Sequence, residues 1–410
     1  MTRIHGMLAA LLAAAALAAP ARAQDTIPAR DTLPRDTPGA DTLPGTKLRA
    51  EAEGREGVRI CAGGDVTLGT NLDTTWVHTA SARLRRRVAA LPDPDSLLAP
   101  LRPLLAGADV VLLNVEGAIG EGVPARQKCA PGSTSCFAFR SPVAAAAALR
   151  RVGGEAEVVG NVANNHARDA GDPGWRATGR HLQGAGVHVT GYDTVPTLVA
   201  LPSGDTVAFL GYSAWAGPKV HDLAGVRRHV GRAAGRHRYV VVTMHAGAEG
   251  SGAQRTPNAT EMAFGEDRGN SVAFARAAVE AGADVVFGHG PHVMRAAEWY
   301  REALVFYSLG NLVTYGPFTF SEPLNRGGIA CADLDPAGGV MAAEIRSTRQ
   351  LAPGLVRPDT TGAAARLVEQ LSRLDFPTSA PVVARGGEVQ RPRGGEAGGV
   401  PAATSPRRRQ

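Results

Sequence analysis

Lysine is nearly absent from this chain of 410 residues, which contains only Lys47, Lys128 and Lys219. Its positive charge comes from arginines, which are spread along the chain apart from Arg85–Arg87 and Arg407–Arg409. A net charge of +6 without a basic stripe does not indicate a protein that follows a nucleic-acid backbone. We therefore predict no nucleic-acid partner, although a basic surface favours an anionic substrate.

Cysteine is also scarce, with four residues and no C-x-x-C pair, which argues against a thiolate metal site. Cys129 and Cys136 flank a loop rich in Pro, Gly and Ser. In an exported protein that spacing predicts a disulfide across a surface loop. Cys61 and Cys331 lie in strand-like runs, and they are either buried thiols or a second bridge.

Long apolar runs are missing except for Met7–Ala19, which is shorter than the roughly 20 residues of a membrane-spanning helix. Arg3 precedes this run and Ala21–Ala23 follows it as a cleavage site, so residues 1–23 are predicted to be a signal peptide. A membrane anchor is the alternative. No cysteine precedes Cys61, so we expect no lipid anchor. The mature protein is expected to be exported to the periplasm or the exterior, either free or attached to the cell envelope.

The rest of the chain divides by composition. Residues 24–56 repeat Asp-Thr-Ile/Leu-Pro, and frequent prolines prevent helices and strand pairing, so a disordered tether is predicted. Residues 57–350 are long enough and apolar enough for one α/β domain. Residues 351–385 contain a predicted helix at Thr361–Leu374. We expect disorder over residues 386–410, which are rich in Gly, Pro and Arg.

Six β-like runs in this domain are each followed by a short polar cluster. The runs are Val58–Ala62, Asp109–Leu113, Glu157–Gly160, Tyr239–Thr243, Asp284–Phe287 and Leu304–Tyr307. Helical patterns separate the strands, at Ser96–Ala106, Ser141–Val152, Asp172–Ala185 and Ser271–Ala281, with Ser141 as a predicted N-cap. This alternation predicts a layered α/β sheet. Ligands bind beyond the carboxyl ends of strands in such sheets, so the clusters can converge on one site.

The clusters supply oxygen and nitrogen donors without a thiolate, at Asp65, Glu116, Asn165, His245, His289 and His292. Such a set suits Mn, Fe, Zn or Mg. Two ions held about 3.5–4 Å apart can activate water and bind a phosphoryl group. Each cluster alone also fits a turn or a capped helix. Together they are hard to explain by packing, because burying ionisable groups without partners is costly.

Six stretches resemble the bacterial capsule-synthesis CapA family of the poly-γ-glutamate type, a branch of the calcineurin-like metallophosphoesterase superfamily. The stretches are Gly64–Gly69, Asn114–Gly117, Ala163–Gly171, His245–Glu249, Gly288–Val293 and Tyr307–Asn311. The resemblance implies a four-layer α/β/β/α sandwich of the metallophosphoesterase type, with two divalent ions (Mn, Fe or Zn) at its strand ends.

The resemblance also implies roles for residues. The metal ligands would be the six donors named above, with Glu116 as the bridge between two ions. His166 would protonate a leaving group or stabilise the transition state. Glu249 would be the second catalytic residue, orienting His245 or lining the site, and Asn311 would lie behind the ligands.

The sequence departs from the family pattern at two places that bear on the site. The first cluster lacks an Asp-x-His pair, so one metal position is expected to be weaker. Ala246 and Gly290 stand where the family often has an aromatic residue and a second histidine, which opens the pocket.

We therefore expect an exported, metal-dependent hydrolase in capsule or poly-γ-glutamate metabolism. Its substrate would be a phosphoester, or an amide or acyl bond of an anionic polymer. The alternative is a non-catalytic subunit of a capsule synthesis and export complex, which binds polymer and capsule-synthesis membrane proteins. A phosphatase that is unrelated to capsule and shares only the fold is a third interpretation.

Overall fold

The structure is a computed structural model that describes residues 57–71, 93–120, 137–316 and 318–392. The predicted signal peptide and tether, the predicted Cys129–Cys136 bridge and residues 393–410 lie outside these ranges. Among the described residues, no helix is both long enough and apolar enough to cross a membrane.

The helices alternate with most of the strands along the chain. The helices are α1 (Pro94–Leu98), α2 (Arg102–Leu105), α3 (Ala144–Val152), α4 (Gly171–Gly184), α5 (Leu223–Ala234), α6 (Ser271–Glu280) and α7 (Ala363–Asp375), with a 3₁₀ turn at Ala99–Leu101. The strands are β1 (Val58–Thr67), β2 (Thr70–Asn71), β3 (Val110–Val115), β4 (Ala118–Ile119), β5 (Phe139–Ser141), β6 (Glu157–Asn161), β7 (His188–Thr190), β8 (Thr197–Ala200), β9 (Thr206–Ser213), β10 (Tyr239–His245), β11 (Met262–Ala263), β12 (Glu266–Asp267), β13 (Val285–His289), β14 (Ala297–Tyr300), β15 (Ala303–Phe306), β16 (Asn311–Thr314), β17 (Arg326–Leu334), β18 (Val340–Leu351), β19 (Leu355–Pro358), β20 (Val382–Val383) and β21 (Glu388–Gln390).

Two large sheets organise these strands. The first sheet has the order β20-β21-β18-β17-β1-β3-β6-β7, with β16 added to β1 and β19 added to β18. The second sheet has the order β14-β15-β13-β10-β9-β8. Strands β1, β3, β6 and β7 run parallel in the first sheet, as do β15, β13, β10 and β9 in the second. The carboxyl ends of each parallel set therefore lie along one edge of the sheet.

The layers follow from the alternation of side chains along the strands. Ile60 of β1 joins a core that also contains Val241 of β10, so the two sheets pack face to face. The neighbouring residue Cys61 points the other way, into a core shared with Leu149 of α3. The outer face of the second sheet packs on α5 and α6. The order of layers is helix, sheet, sheet, helix, and the predicted α/β/β/α sandwich is confirmed.

All six predicted β runs are strands, and four of them extend into the polar cluster that follows. Strand β1 continues through Asp65, β3 ends at Val115, β10 ends at His245, and β13 ends at His289. These side chains therefore project from backbone that is fixed by ladder hydrogen bonds, which makes their positions rigid.

Two predictions about helices are wrong in detail. The expected helix Ser96–Ala106 is divided into α1, a 3₁₀ turn and α2. Pro100 and Pro103 explain the division, because proline lacks an N–H and restricts the residue before it. Ser141 is the last residue of β5 rather than the N-cap of α3, since its backbone pairs with β4.

The C-terminal part of the described chain continues the first sheet. Helix α7 matches the predicted helix Thr361–Leu374 to within two residues. The expected start of disorder at residue 386 is wrong, because β21 pairs with both β18 and β20. Val389 of β21 is 4% exposed, so this short strand is held by burial as well as by backbone pairing.

A disulfide joins β1 to β17. Cys61 and Cys331 are directly opposite each other in this antiparallel pair, with their Cα atoms 4.0 Å apart. Of the two alternatives that the sequence left open, the structure has the bridge. It closes a sequence separation of 270 residues and lies four residues before Asp65.

Candidate metal centre

The carboxyl ends of β1, β3, β10 and β13 meet where the two sheets face each other. Asp65 is the register partner of Asn114 in the first sheet, and His245 is the partner of His289 in the second. All four residues are at most 1% exposed. The Oδ1 atom of Asp65 lies 3.8 Å from Nδ1 of His245 and 3.8 Å from Nδ1 of His289. Both sheets therefore contribute to one buried polar cluster.

Asp65 is held by hydrogen bonds to both of its oxygens. Asn114 Nδ2 donates to Oδ1 at 2.8 Å, and the backbone N–H of Gly290 donates to Oδ2 at 3.3 Å. His292 Nδ1 lies 3.0 Å from Oδ2. Burial alone would raise the pKa of Asp65, but the hydrogen bond from His292 and the nearby imidazoles hold it below its usual range. The side chain is therefore an ionised carboxylate.

Two glycines let the backbone approach closely around this carboxylate. A Cβ atom on Gly64 would lie 2.1 Å from the carbonyl oxygen of Gly310, so only glycine fits before Asp65. Gly290 has a φ of +111°, and a Cβ atom there would lie 3.1 Å from the ring of His245. The departure from the family pattern at Gly290 thus leaves room for the His245 imidazole.

Glu116 occupies the middle of the cluster. Its Oε1 atom lies 3.6 Å from Nε2 of His292, 3.8 Å from Nε2 of His245 and 4.0 Å from Nε2 of His166. Asp65, Glu116 and His292 each offer one ligand atom within 4.8 Å of the others. A carboxylate surrounded in this way is well placed to bridge two ions.

His245 and His289 present imidazole nitrogens that none of the described residues satisfies. Within the described ranges, Nε2 of His245 and both ring nitrogens of His289 have no hydrogen-bond partner. Burial lowers the pKa of His245 to about 3 and that of His289 to about 4, so both rings are neutral near pH 7. Buried polar atoms without partners are rare in proteins, and neutral imidazole is the form that binds metal. These observations fit a metal ion as the missing partner.

The backbone of His292 is left-handed, with a φ of +59°. Its side chain lies between Asp65 and Asn311. Its Nδ1 atom lies 3.1 Å from Oδ1 of Asn311, whose Nδ2 donates to the carbonyl oxygens of His292 and Leu324 at 3.3 Å. Burial would lower the pKa of His292, but the negative charge of Glu116 and the contact with Asp65 raise it well above its usual value. Asn311 therefore lies behind the site, as the resemblance implied.

Glu249 faces His292 rather than His245. Its Oε2 atom lies 3.2 Å from Nε2 of His292, and its Oε1 accepts from Nη2 of Arg268 at 3.2 Å. Burial would raise the pKa of Glu249, but the hydrogen bond with His292 and the nearby charges lower it to about 2. Glu249 therefore lies beside His292, and its catalytic role stays a prediction. The side chain beside Nδ1 of His245 is instead Asn114, at 3.1 Å.

His166 forms a tight pair with Asp169. Its Nδ1 donates to Oδ2 of Asp169 at 2.6 Å, and the same oxygen accepts the backbone N–H of Phe139 at 2.7 Å. The imidazole also packs on the Phe139 ring, with centroids 4.4 Å apart. Because Nδ1 carries the donated proton, Nε2 is left facing Glu116 and the centre of the cluster.

Asn164 and Asn165 have different surroundings. Asn164 is buried, donates to the carbonyl oxygen of Val115 at 2.9 Å and accepts the N–H of His166 at 3.0 Å, so it shapes the loop. Asn165 is half-buried in the same loop beside His166. Its assignment as a metal ligand stays a prediction.

Three residues at the site had no role in the sequence analysis. Asn114 links Asp65 to His245 and accepts from Nδ2 of Asn161 at 2.9 Å. Asp169 fixes His166, and Arg268 fixes Glu249. Asn114 and Asp169 lie inside the stretches that carry the family resemblance, so their position there was the available signal. No local sequence pattern marks Arg268 as a site residue, because its contact with Glu249 arises only when the chain folds.

Together the fold and the cluster define a four-layer α/β/β/α protein with a centre of carboxylates and imidazoles that fits divalent cations. The chain belongs to the family of the bacterial capsule synthesis protein PGA_cap, whose family model matches residues 59–315.

Curated relatives match short segments of the chain. The capsule biosynthesis protein CapA of Bacillus anthracis is 51% identical over 41 residues, which are 10% of this chain and 10% of the relative. The PGA biosynthesis protein CapA of Bacillus subtilis (strain 168) is 54% identical over 39 residues, again 10% of each chain. The uncharacterized protein y4sH of Sinorhizobium fredii is 34% identical over 90 residues, 22% of this chain and 17% of the relative. The matched segments thus span less than a quarter of each protein.

Two solved structures are distant neighbours. GAP50, described as the anchor in the inner membrane complex of Plasmodium, gives a TM-score of 0.35 at 9% identity, covering 73% of this chain and 88% of that one. The 5′-nucleotidase precursor from Thermus thermophilus gives a TM-score of 0.36 at 13% identity, covering 78% of this chain and 59% of that one. Similarities this low carry no argument about function.

Proposed function

We propose that this protein is an exported metal-dependent hydrolase that acts in capsule or poly-γ-glutamate metabolism. The observation that carries the proposal is the convergence of two carboxylates and three imidazoles, with buried nitrogens of His245 and His289 unsatisfied within the described chain. Membership of the PGA_cap family and the names of the two CapA relatives support the link to capsule. The proposed substrate is a phosphoester, or an amide or acyl bond of an anionic polymer.

The proposed metal ligands come from both sheets and comprise Asp65, Glu116, Asn165, His245, His289 and His292. Oxygen and imidazole donors suit two divalent ions, with Mn, Fe or Zn as candidates. Glu116 is the proposed bridge because three imidazole nitrogens lie within 4.0 Å of its Oε1. When bound, such ions lower the pKa of water and polarise the bond to be cleaved.

The residue proposed to move a proton is His166. Its Nδ1–H is committed to Asp169, and its Nε2 is directed at the centre beside Glu116. A histidine fixed in this way can exchange a proton at Nε2 with a leaving group. Glu249 lies next to His292, and Arg268 donates to Glu249. Glu249 is proposed to hold His292 in place rather than to exchange a proton.

The second candidate is a polymer-binding subunit of a capsule synthesis or export complex, with capsule-synthesis membrane proteins as partners. The observation that favours it is that both CapA relatives are named for biosynthesis. This role would use the same metal centre for binding polymer, and it would not require proton exchange at His166.

The decisive experiment is the metal content of the mature chain from Gln24, purified from the periplasm and measured by elemental mass spectrometry. His245→Ala is the test variant, and His188→Ala is a matched control because His188 pairs with Glu157 at a half-exposed position outside the cluster. We expect about two equivalents of Mn, Fe or Zn in the native protein and the control, with loss in His245→Ala. Equal metal in all three, or no metal after reloading, would overturn the metal centre.

Activity separates the two candidate functions. Metal-loaded protein is assayed with phosphoesters and with poly-γ-glutamate, beside His166→Ala. We expect hydrolysis by the native protein and a loss of at least roughly 100-fold in His166→Ala with metal retained, in the range of general acid catalysis. Polymer binding without hydrolysis by the loaded protein would favour the subunit.

A further inference from the structure

Two loops carry the groups that meet at one side of the centre. The Glu249 loop (residues 246–261) follows β10, and the His292 loop (residues 290–296) follows β13. Glu249 and His292 approach to 3.2 Å, although neither belongs to a helix or strand. The N–H of Gly250 donates to the carbonyl oxygen of Pro291 at 3.1 Å, so the two loops are in direct contact beside this pair.

A buried ion pair lies between these loops. Arg295 of the His292 loop donates through Nη1 to Oε2 of Glu261 at 2.8 Å and through Nη2 to Oε1 at 2.7 Å. Arg295 is 1% exposed and Glu261 is 7% exposed. The two parallel hydrogen bonds give this pair a defined orientation that a lysine could not reproduce.

The same pair holds the backbone immediately before Glu249. The N–H of Ala248 donates to Oε1 of Glu261 at 3.2 Å, and the carbonyl oxygen of Ala248 accepts from Nη2 of Arg295 at 3.0 Å. Arg295 Nε also donates to the carbonyl oxygen of Ala253 at 2.7 Å. The ion pair therefore satisfies both backbone polar groups of the residue that precedes Glu249, and this fixes the direction of the Glu249 side chain.

Gly247 shows how closely the loop lies on this pair. Its φ is +91°, and an added Cβ atom would lie 2.8 Å from Nη1 of Arg295 and 3.0 Å from Oε2 of Glu261. Only glycine allows the chain to pass directly over the ion pair in this conformation. A glycine two residues after His245 is thus explained by contact with the pair.

We propose that Arg295 and Glu261 are positioning residues that set Glu249 against His292. Replacing a buried ion pair with apolar residues is often neutral for stability, so stability alone gives a weak reason for this one. Its hydrogen bonds instead go to the loop that carries Glu249. The inference rests on the proposed metal centre only for its second readout, since the first is made without metal.

The experiment compares Arg295→Lys with Arg276→Lys in the full mature chain. Arg276 also forms a bidentate pair with a buried carboxylate, that of Glu298, at 2.5 and 3.3 Å, although the Arg276 side chain is 33% exposed. Glu298 is otherwise bonded to Tyr307 and Ser379, away from the centre. Both variants keep the charge and lose a bidentate guanidinium beside a buried carboxylate.

The first readout is amide hydrogen exchange of the metal-free protein. We expect exchange in the Glu249 loop, measured at the Ala248 amide, to rise at least roughly 10-fold in Arg295→Lys and to stay at the native rate in Arg276→Lys. The second readout uses Co²⁺ as a probe. Arg295→Lys is expected to weaken Co²⁺ binding by about 10- to 100-fold and to change its absorption spectrum.

Native exchange and a native Co²⁺ spectrum in Arg295→Lys would overturn the inference, as would equal changes in Arg276→Lys. If Arg295→Lys does not fold, Glu261→Gln keeps the arginine and the shape of the pair, and it should raise exchange at Ala248 in the same direction. If the native protein binds no Co²⁺, the proposed function fails, whereas the exchange result still decides the role of Arg295.

Discussion

The two sheets contribute different chemistry to one centre. The first sheet supplies Asp65, whose two oxygens accept hydrogen bonds from Asn114 Nδ2 and from the Gly290 N–H. The second sheet supplies His289, both of whose ring nitrogens lack a hydrogen-bond partner in the described chain. Asp65 is therefore held in place by hydrogen bonds within the protein. The unsatisfied nitrogens of His289 among the described residues indicate that metal and protein complete each other on the second-sheet side.

The largest expected loss of metal affinity comes from a change to Asp65, a proposed ligand that the first sheet supplies. Asp65→Asn removes a buried negative charge that faces three imidazoles, so metal affinity should fall by more than the roughly 100-fold that is typical when a group behind the ligands is lost. Metal affinity is measured by isothermal titration calorimetry. The control is Asp109→Asn, whose carboxylate accepts the Arg59 N–H at the opposite end of the same strand pair, and it should keep native affinity. Comparable losses in both variants would contradict the asymmetry.

A second-sheet variant should behave differently in the absence of metal. His289→Leu removes two buried nitrogens without partners in the described chain, and such atoms cost about 1–3 kcal/mol each when left unsatisfied. We expect metal affinity to fall by about 10- to 100-fold. The free energy of unfolding in EDTA should stay the same or rise by about 1 kcal/mol.

Urea denaturation in EDTA provides the measurement for both halves of the comparison. Asp65→Asn should lower the metal-free free energy of unfolding because it disturbs a satisfied network. If His289→Leu lowers it as much as Asp65→Asn does, the second sheet is as organised without metal as the first, and the contrast drawn above is wrong.

The sequence was sufficient to predict the strands and the polar clusters because both are local patterns. Each β run is four or five residues long and mostly apolar, and a polar cluster begins within four residues of its end, so Asp65, His245 and His289 could be placed at strand ends without knowledge of the fold. The errors were also local. Prolines at 100 and 103 divide a helix that its apolar spacing favoured, and Ser141 looks like an N-cap but lies in a paired strand.

Contacts across the fold could not be predicted in this way. Arg295 and Glu261 are separated by 34 residues, and their pairing depends on where two loops emerge from β10 and β13. Asn114 meets His245 across 131 residues and between two sheets. The sequence around each of these residues is that of an ordinary loop or strand. The partners of these side chains become visible only when the positions of the strands and loops in the fold are known.

A variant in the loop after β6 of the first sheet, which leaves the metal ligands unchanged, sharpens the comparison further. Asp169→Asn weakens the acceptor for Nδ1–H of His166, so the imidazole loses its fixed tautomer. We expect kcat to fall by about 10- to 100-fold and the pH profile of kcat to change, with metal content and KM unchanged. Steady-state kinetics over a pH series provides the measurement. Loss of metal in Asp169→Asn would show that the pair supports the ligands instead of proton transfer.

The smallest expected effect on the centre comes from the disulfide, which links β1 to β17 and has no counterpart in the second sheet, whose strands contain no cysteine. Cys61 faces the helices rather than the other sheet, so replacing both Cys61 and Cys331 with alanine should leave metal affinity of the folded protein within about 3-fold of native. The free energy of unfolding should fall by about 2–5 kcal/mol, because the bridge constrains a long loop in the unfolded chain. Urea denaturation with and without reductant tests this, since reduction of the native protein should reproduce the double variant. A large loss of metal affinity on reduction, at a urea concentration where the protein stays folded, would mean that the bridge holds Asp65 in place and that the first sheet is not organised by its hydrogen bonds alone.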